Sequence, residues 1–219
     1  MELKGKKVVF LGDSITKGVR ADAPEHIYHA VLKDLLGIKE CINAGVSGTR
    51  IARQKMPTVN EPSFDLDFLM RFDDVDKDAD YLFIFGGTND FGHGDSEFGT
   101  ADSDDIYTFQ GALNVLYTKA KNAFGSDRVV ILTPMRRFGM NSSKGDSSRR
   151  VPCPPLGEYV KAEIEAAARY GFKVIDLFSV PELDPNDKKY VRYFADGLHP
   201  NTEGHRLLAE VLAKKIKEL

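Results

Sequence analysis

Five short apolar runs, separated by segments with helical spacing, dominate this chain of 219 residues. Short apolar runs without polar alternation are typical of strands buried on both faces of a parallel sheet. The predicted strands are Lys7 to Gly12, Lys39 to Asn43, Tyr81 to Gly86, Arg128 to Thr133, and Lys173 to Leu177.

The segments around these runs predict helices, because their apolar residues recur every three to four positions. The predicted helices are Glu25 to Leu36, Asp65 to Phe72, Asp104 to Phe124, Pro155 to Tyr170, and Asn201 to Leu219. Strands that alternate with helices predict an α/β fold in which right-handed crossovers cover both faces of a parallel sheet.

Composition indicates one globular domain over residues 1–219, since the sequence shows neither an internal repeat nor a linker-like change in composition. A net charge of −3 gives no reason to expect nucleic acid or an anionic membrane as a partner. The two cysteines, Cys41 and Cys153, are too few for a disulfide framework. A homo-oligomer stays open.

The first apolar run, Val8 to Leu11, is too short for the hydrophobic region of a signal peptide. No apolar stretch approaches the ~18 residues that a membrane span requires. We therefore expect a cytoplasmic protein without a membrane-spanning segment.

Gly12-Asp13-Ser14 follows the first predicted strand directly. The carboxyl ends of parallel strands are where α/β proteins bind ligands, so Ser14 is a candidate nucleophile. A serine at such a place is also a common helix N-cap or turn residue. The segment is neither a Gly-x-Ser-x-Gly elbow nor a phosphate-binding Walker A loop.

Asp196 and His199 form a second candidate group near the end of the chain. A carboxylate three residues before a histidine can fold back and fix the tautomer of a general base. The alternative is a capped turn with a surface histidine. A third ligand at metal-binding spacing is not apparent, and we expect neither a metal nor another cofactor.

Two further residues could donate hydrogen bonds to an oxyanion. Gly48 lies in Asn43-Ala44-Gly45-Val46-Ser47-Gly48-Thr49, and Asn89 lies in Gly86-Gly87-Thr88-Asn89-Asp90. Gly48 could bring its backbone N–H close to the oxygen, and Asn89 could donate its side-chain amide. Each also has a structural explanation, as a turn glycine and as a helix N-cap.

Taken in order, the Gly-Asp-Ser, glycine, asparagine and Asp-x-x-His blocks resemble those of the SGNH hydrolases, the GDSL esterase and lipase family. The resemblance runs from Phe10 to Asn201. It implies a flavodoxin-like, three-layer α/β/α sandwich with a five-stranded parallel sheet. It also implies roles, namely Ser14 as nucleophile, His199 as base, Asp196 as its orienting partner, and Ser14, Gly48 and Asn89 as the oxyanion hole.

Four further polar residues are weaker candidates for substrate contact: Asp13, Asp90, His93 and Arg136. Asp90 could instead orient a loop backbone. Arg50 and Arg53 could bind an anionic group or lie on a solvated helix face.

The predicted function is that of a serine esterase acting on small carboxylic esters, with acetylated carbohydrates as one substrate class. The alternatives are a lysophospholipase or thioesterase of the same family, and a non-catalytic ligand-binding module on the same fold. A nucleotide or phosphate binder with a flavodoxin-like fold is a third. The mostly polar loops Phe91 to Asp102 and Pro134 to Pro154 favour a short acyl group and a polar alcohol.

Overall fold

The computed structural model describes the whole chain, residues 1–219, apart from the side chain of Ser148. Its seven strands in chain order are β1 (Lys7–Gly12), β2 (Glu40–Gly45), β3 (Tyr81–Phe85), β4 (His93–Gly94), β5 (Val129–Leu132), β6 (Ser148–Arg149) and β7 (Lys173–Ile175). Its seven α-helices are α1 (Ser14–Lys17), α2 (Tyr28–Leu36), α3 (Phe68–Phe72), α4 (Thr88–Gly92), α5 (Phe109–Phe124), α6 (Leu156–Tyr170) and α7 (Thr202–Glu218).

Five of the strands form one parallel sheet in the order β2-β1-β3-β5-β7, which confirms the predicted fold class. The order of connections changes direction between β1 and β3, and an α/β sheet opens its ligand crevice at such a switch point. The last residue of β1, Gly12, pairs with Gly45 of β2 and Phe85 of β3. The segments that follow these three strands therefore leave the sheet side by side.

Two hydrophobic cores lie on opposite faces of the sheet, because alternate strand residues point to opposite sides. Val9 and Leu11 belong to one core with α3, α5 and α6. Val8 and Phe10 belong to the other core with α2 and α7. This arrangement is the predicted α/β/α sandwich. In the described part of the chain, no helix has both the length and the apolar character needed to cross a membrane.

Three predicted helices begin later than the sequence pattern suggested. A 3-10 turn at Pro24–His26 precedes α2. Asp67 caps α3 through the backbone N–H of Met70, and Thr108 caps α5 through that of Gly111. A side chain that accepts from the first helical turn fixes the helix start, whereas apolar periodicity alone does not.

The two long loops that follow β3 and β5 are joined by a small parallel pair, β4 and β6, which the sequence did not predict. The Arg149 guanidinium donates to the carbonyl oxygens of Asp90 and Ser96, the latter at 2.5 Å. The backbone N–H of Asp146 donates to Gly92 at 2.8 Å. Strands of two residues carry no readable periodicity, so only the tertiary structure shows that these loops support each other.

Candidate active site

Ser14 is the first residue of the short helix α1, immediately beyond the end of β1. The Asp13 carboxylate caps this helix by accepting from the Ile15 N–H at 2.9 Å. The turn requires glycine at position 12, because a Cβ there would lie 2.0 Å from the Thr16 hydroxyl oxygen. Glycine-aspartate before the serine thus allows a tight turn that holds Ser14 at a helix N-terminus.

His199 reaches Ser14 from a loop 185 residues further along the chain, and its Nε2 lies 2.9 Å from the serine Oγ. The loop that carries His199 is closed by a hydrogen bond, in which the Ala195 N–H donates to the His199 carbonyl at 2.9 Å. Two residues after His199, Asn201 caps the start of α7. Gly197 adopts a φ of +78°, a conformation that favours glycine. The sequence Asp-Gly-Leu-His therefore forms a tight loop rather than a flexible connection.

Asp196 accepts hydrogen bonds from the ring and from the backbone of His199. Its Oδ2 lies 2.8 Å from Nδ1, and its Oδ1 lies 2.8 Å from the backbone nitrogen. Partial burial raises the pKa of the Asp196 carboxyl, but these hydrogen bonds outweigh it and leave the pKa below its ordinary value. An ionised Asp196 favours the tautomer with hydrogen on Nδ1. The free lone pair of Nε2 then faces the Ser14 hydroxyl.

Gly48 lies on the loop that leaves β2, and Asn89 lies in α4, shortly after the end of β3. Asn89 donates one side-chain N–H to the Thr49 carbonyl at 3.0 Å, which orients the amide and leaves its second N–H available. Gly48 has a φ of +72°, and a Cβ there would lie 2.2 Å from the Phe64 ring. Glycine at position 48 is therefore required by both backbone conformation and close packing.

The backbone N–H groups of Ser14 and Gly48 donate to no protein acceptor among the described residues. Asn89 holds the segment after Gly48 through Thr49. Three donors thus border the same edge of the sheet as the Ser14 hydroxyl. Such donors can stabilise a negatively charged oxygen.

Asp13 and Asp90 are buried, and the structure gives both carboxylates backbone partners. Asp90 accepts from the N–H groups of Ile51 and Ala52 at 2.9 Å each. Burial raises the pKa of each carboxyl to about 6, although these hydrogen bonds act in the opposite direction. Both residues, predicted as substrate contacts, are thus engaged in shaping the loops, as the alternative for Asp90 anticipated.

Arg136 is engaged with other groups of the protein. Its Nη1 lies 2.9 Å from Asp184 Oδ2, and its Nε donates to the Phe178 carbonyl at 2.9 Å. Arg50 and Arg53 do not lie on a solvated helix face. Arg50 is only 1% exposed and pairs with Asp65, while Arg53 pairs with Asp67 at 2.7 Å. His93 lies beside Arg50 at the edge of a cavity.

Sequence reasoning missed Arg71, which connects the loops of the site. Its guanidinium donates to the carbonyls of Gly12 and Ala44 at 3.0 and 2.7 Å, and to the Thr49 hydroxyl at 2.8 Å. It therefore ties the end of β1 to the end of β2 and to the Gly48 loop. An arginine within a predicted amphipathic helix gives no signal of such contacts.

Among the described residues, no group of three or more His, Cys, Asp or Glu side chains is placed to hold a metal ion. The two described cysteines are free thiols.

Ser14, His199 and Asp196 thus form a continuous chain of hydrogen bonds at the carboxyl edge of the parallel sheet. The model of the GDSL-like lipase/acylhydrolase family matches residues 10–207, and the chain belongs to this family.

Several known proteins are similar to this chain in sequence or in structure. An acetylxylan esterase from Xylanibacter ruminicola is 28% identical over 229 residues, which cover 96% of this chain and 43% of that protein. The chain thus spans less than half the length of this relative. A protein from Lactobacillus plantarum has a similar structure, with a TM-score of 0.79, 25% identity and 99% of each chain covered. A two-domain esterase active on acetylated mannans shares the fold, with a TM-score of 0.63, 19% identity, and coverage of 99% of this chain and 50% of that one.

Proposed function

We propose that this chain is a serine esterase that hydrolyses small carboxylic esters, with acetylated carbohydrates as its substrate class. The observation that carries the proposal is the continuous chain of contacts from Ser14 Oγ to His199 Nε2 and from His199 Nδ1 to Asp196 Oδ2, at 2.9 and 2.8 Å. The acetylxylan esterase relative, aligned over 96% of this chain, supports the substrate class.

In the first half of the reaction, Ser14 Oγ attacks the ester carbonyl carbon while His199 Nε2 accepts the hydroxyl proton. Asp196 stabilises the imidazolium that forms. The carbonyl oxygen becomes an oxyanion, and the N–H groups of Ser14, Gly48 and Asn89 donate to it. The bond to the leaving alcohol then breaks, and His199 returns its proton to the alcohol oxygen.

The second half repeats these steps with water as the nucleophile. His199 takes a proton from water, the hydroxide attacks the acyl carbon, and the bond to Ser14 Oγ breaks with return of the proton to Ser14. All of these steps use groups of the chain itself. Activity should therefore persist after treatment with a chelator.

The proposal is tested with p-nitrophenyl acetate and an acetylated xylo-oligosaccharide as substrates. Ser14→Ala should keep the fold and lower kcat by roughly 10⁴-fold or more, since the covalent step is lost. His199→Ala should lose a similar amount, and the double variant little more, because the two residues act as a unit.

A fluorophosphonate probe distinguishes this enzyme from a non-catalytic binding module. The wild-type protein should be labelled at Ser14, and the His199→Ala variant should react far more slowly. An unlabelled wild type, or near-normal ester hydrolysis by pure Ser14→Ala protein, would refute the proposal.

A further inference from the structure

A cavity of about 280 Å³ lies beside the Gly48 loop, and the proposed ester hydrolysis gives it no role yet. Its lining includes Arg50, Phe64, His93 and Arg150. The Phe64 ring packs directly against Gly48. Phe64 thus contacts both the cavity and the residue that carries a proposed oxyanion donor.

The chain connectivity also places this cavity next to the site. Arg50 comes two residues after Gly48, and His93 comes four residues after Asn89. A substrate whose carbonyl oxygen lies between Gly48 and Asn89 would extend one of its ends toward these side chains. The walls of the cavity are therefore candidates for substrate recognition.

Arg50 determines the tautomer of His93. Its Nη1 lies 2.8 Å from His93 Nδ1. A guanidinium can only donate, so Nδ1 must be the acceptor and the ring hydrogen must be on Nε2. Burial, followed by the charges of Arg50 and neighbouring arginines, lowers the pKa of His93 to about 3. His93 therefore stays neutral near pH 7 and presents an N–H donor.

The Arg50 side chain is itself rigidly held. It donates to the Asp65 carboxylate at 2.8 Å and to the Phe64 carbonyl at 3.2 Å. Gly94 leaves room for it, because a Cβ there would lie 2.9 Å from Arg50 Nη1. The His93 ring, in turn, packs against the Phe64 ring with centroids 5.3 Å apart. These contacts preorganise the histidine before any ligand arrives.

The charges around the cavity favour a neutral ligand. Asp65 pairs with Arg50, and Asp95 lies 3.9 Å from Arg150, so both guanidinium groups already face carboxylates. These nearby carboxylates offset the two arginine charges and so weaken the attraction of the cavity for an anion. An aromatic wall with a fixed neutral donor suits a sugar ring, which offers C–H faces and hydroxyl oxygens.

We infer that this cavity is a subsite for the hydroxyl-bearing alcohol part of the ester, in which His93 Nε2–H donates to a sugar hydroxyl oxygen. Arg50 is a positioning residue that acts through His93. This inference rests on the proposed function and names the part of the substrate that the cavity holds.

The kinetic test compares acetylated xylobiose, which has hydroxyl groups, with p-nitrophenyl acetate, which has none. His93→Phe keeps an aromatic ring against Phe64 and removes the donor. Its kcat/KM for acetylated xylobiose should fall about five- to tenfold more than that for p-nitrophenyl acetate, the loss expected for one neutral hydrogen bond. His93→Gln, whose amide can donate from a similar place, should recover part of the difference.

The matched control is His26→Phe, since His26 is an exposed histidine paired with Asp22. It should leave the ratio of the two kcat/KM values unchanged. An equal fall for both substrates in His93→Phe would overturn the inference, because the residue would then act on the reacting centre. No fall for either substrate would overturn it as well.

Two measurements separate this inference from the proposed function. Nitrogen-15 NMR of the histidine rings should show hydrogen on Nε2 of His93 in the wild type, and hydrogen on Nδ1 would overturn the subsite. An NMR titration of xylobiose into Ser14→Ala protein reads binding without chemistry, and His93→Phe in that background should weaken it at least fivefold. Equal binding with and without His93 refutes the subsite, whereas wild-type protein that cleaves neither ester refutes the esterase.

Discussion

Asp196 accepts hydrogen bonds from the ring and from the backbone of His199, each at 2.8 Å. The carboxylate therefore fixes the position of the residue as well as the tautomer of its ring. Asp196→Asn should keep the backbone contact through its remaining oxygen. Its amide N–H would donate to Nδ1, force the hydrogen onto Nε2, and remove the acceptor that Ser14 needs.

We expect Asp196→Asn to lower kcat by about 10⁴-fold with little change in the melting temperature. The measurement is steady-state hydrolysis of p-nitrophenyl acetate, with thermal unfolding as the control. A kcat within tenfold of the wild type would mean that Asp196 does not orient the base.

Asn89 should matter mainly after charge develops on the carbonyl oxygen. Its amide is already oriented by the Thr49 carbonyl at 3.0 Å, so the second N–H needs no rearrangement to donate. Asn89→Ala should lower kcat by about 10²–10³-fold and change KM only modestly. Asn114→Ala is a matched control, since that amide also donates to backbone carbonyls, those of Ala101 and Ser103. A raised KM with normal kcat would instead make Asn89 a ground-state contact.

Gly48 allows a direct test of how closely the loop must pack. Gly48 and Gly5 share a φ of +72°, but a Cβ at Gly5 meets nothing within 4 Å, whereas a Cβ at Gly48 lies 2.2 Å from Phe64. Both alanine variants should lose about 1 kcal/mol of stability from the backbone conformation. Gly48→Ala alone should also lower kcat, by about tenfold or more, because Phe64 and the donor N–H must shift. Equal kcat in the two variants would contradict the role of the Gly48 N–H.

The substrate loops predict a preference for short acyl chains. Phe138 is 47% exposed beside Gly197, whereas the cavity next to Gly48 places the charged side chains of Arg50 and Arg150 among its apolar walls. Acetyl and butyryl esters should exceed the palmitoyl ester by at least about tenfold in kcat/KM, because each added methylene is worth only about 1 kcal/mol even in an apolar pocket. The p-nitrophenyl acetate, butyrate, octanoate and palmitate series checks this. Rates that rise with chain length would support the lipase alternative.

The sequence predicted the sheet and the residues of the Ser14–His199 contact for a clear physical reason. Buried parallel strands are continuous apolar runs, and the polar residues directly after them must lie at one edge of the sheet. Ser14 and Asn89 fall at such places. His199 was recognisable through Asp196, since a local Asp-x-x-His loop can form whatever surrounds it.

The parts of the site that the sequence did not predict depend on contacts between segments that are distant along the chain. The sequence leaves Arg50 open between an anionic contact and a solvated helix face, because arginine is rarely buried. Its burial is tolerated through Asp65, the Phe64 carbonyl and His93, none of which is its neighbour in sequence. Arg71 binds carbonyls of two strands and a loop hydroxyl. Neither position carries a local pattern that anticipates its partners.

Buried titratable groups make the stability of this fold depend on pH, with two opposing signs. Burial lowers the pKa of His29 and His205 to about 4, so the unfolded chain binds more protons and stability falls as the pH drops from ~6.5 to ~4. Burial raises the pKa of Asp13 and Asp90 to about 6, so the folded chain binds more protons and stability rises as the pH drops from ~6 to ~4. The two effects partly offset each other in the wild type.

His205→Gln should separate the two contributions. The His205 ring donates through Nε2 to the Val19 carbonyl at 3.4 Å and stacks on Tyr28, so the variant loses some stability at every pH. In the wild type, one such histidine lowers the free energy of unfolding by about 2 kcal/mol as the pH drops from ~7 to ~5. The variant lacks this histidine, so over the same range its free energy of unfolding should fall less than that of the wild type, or rise. Urea unfolding at both pH values measures this, with His26→Gln as the exposed control, because Asp22 raises the pKa of His26. Parallel curves for wild type and His205→Gln would show that His205 does not take up a proton on unfolding.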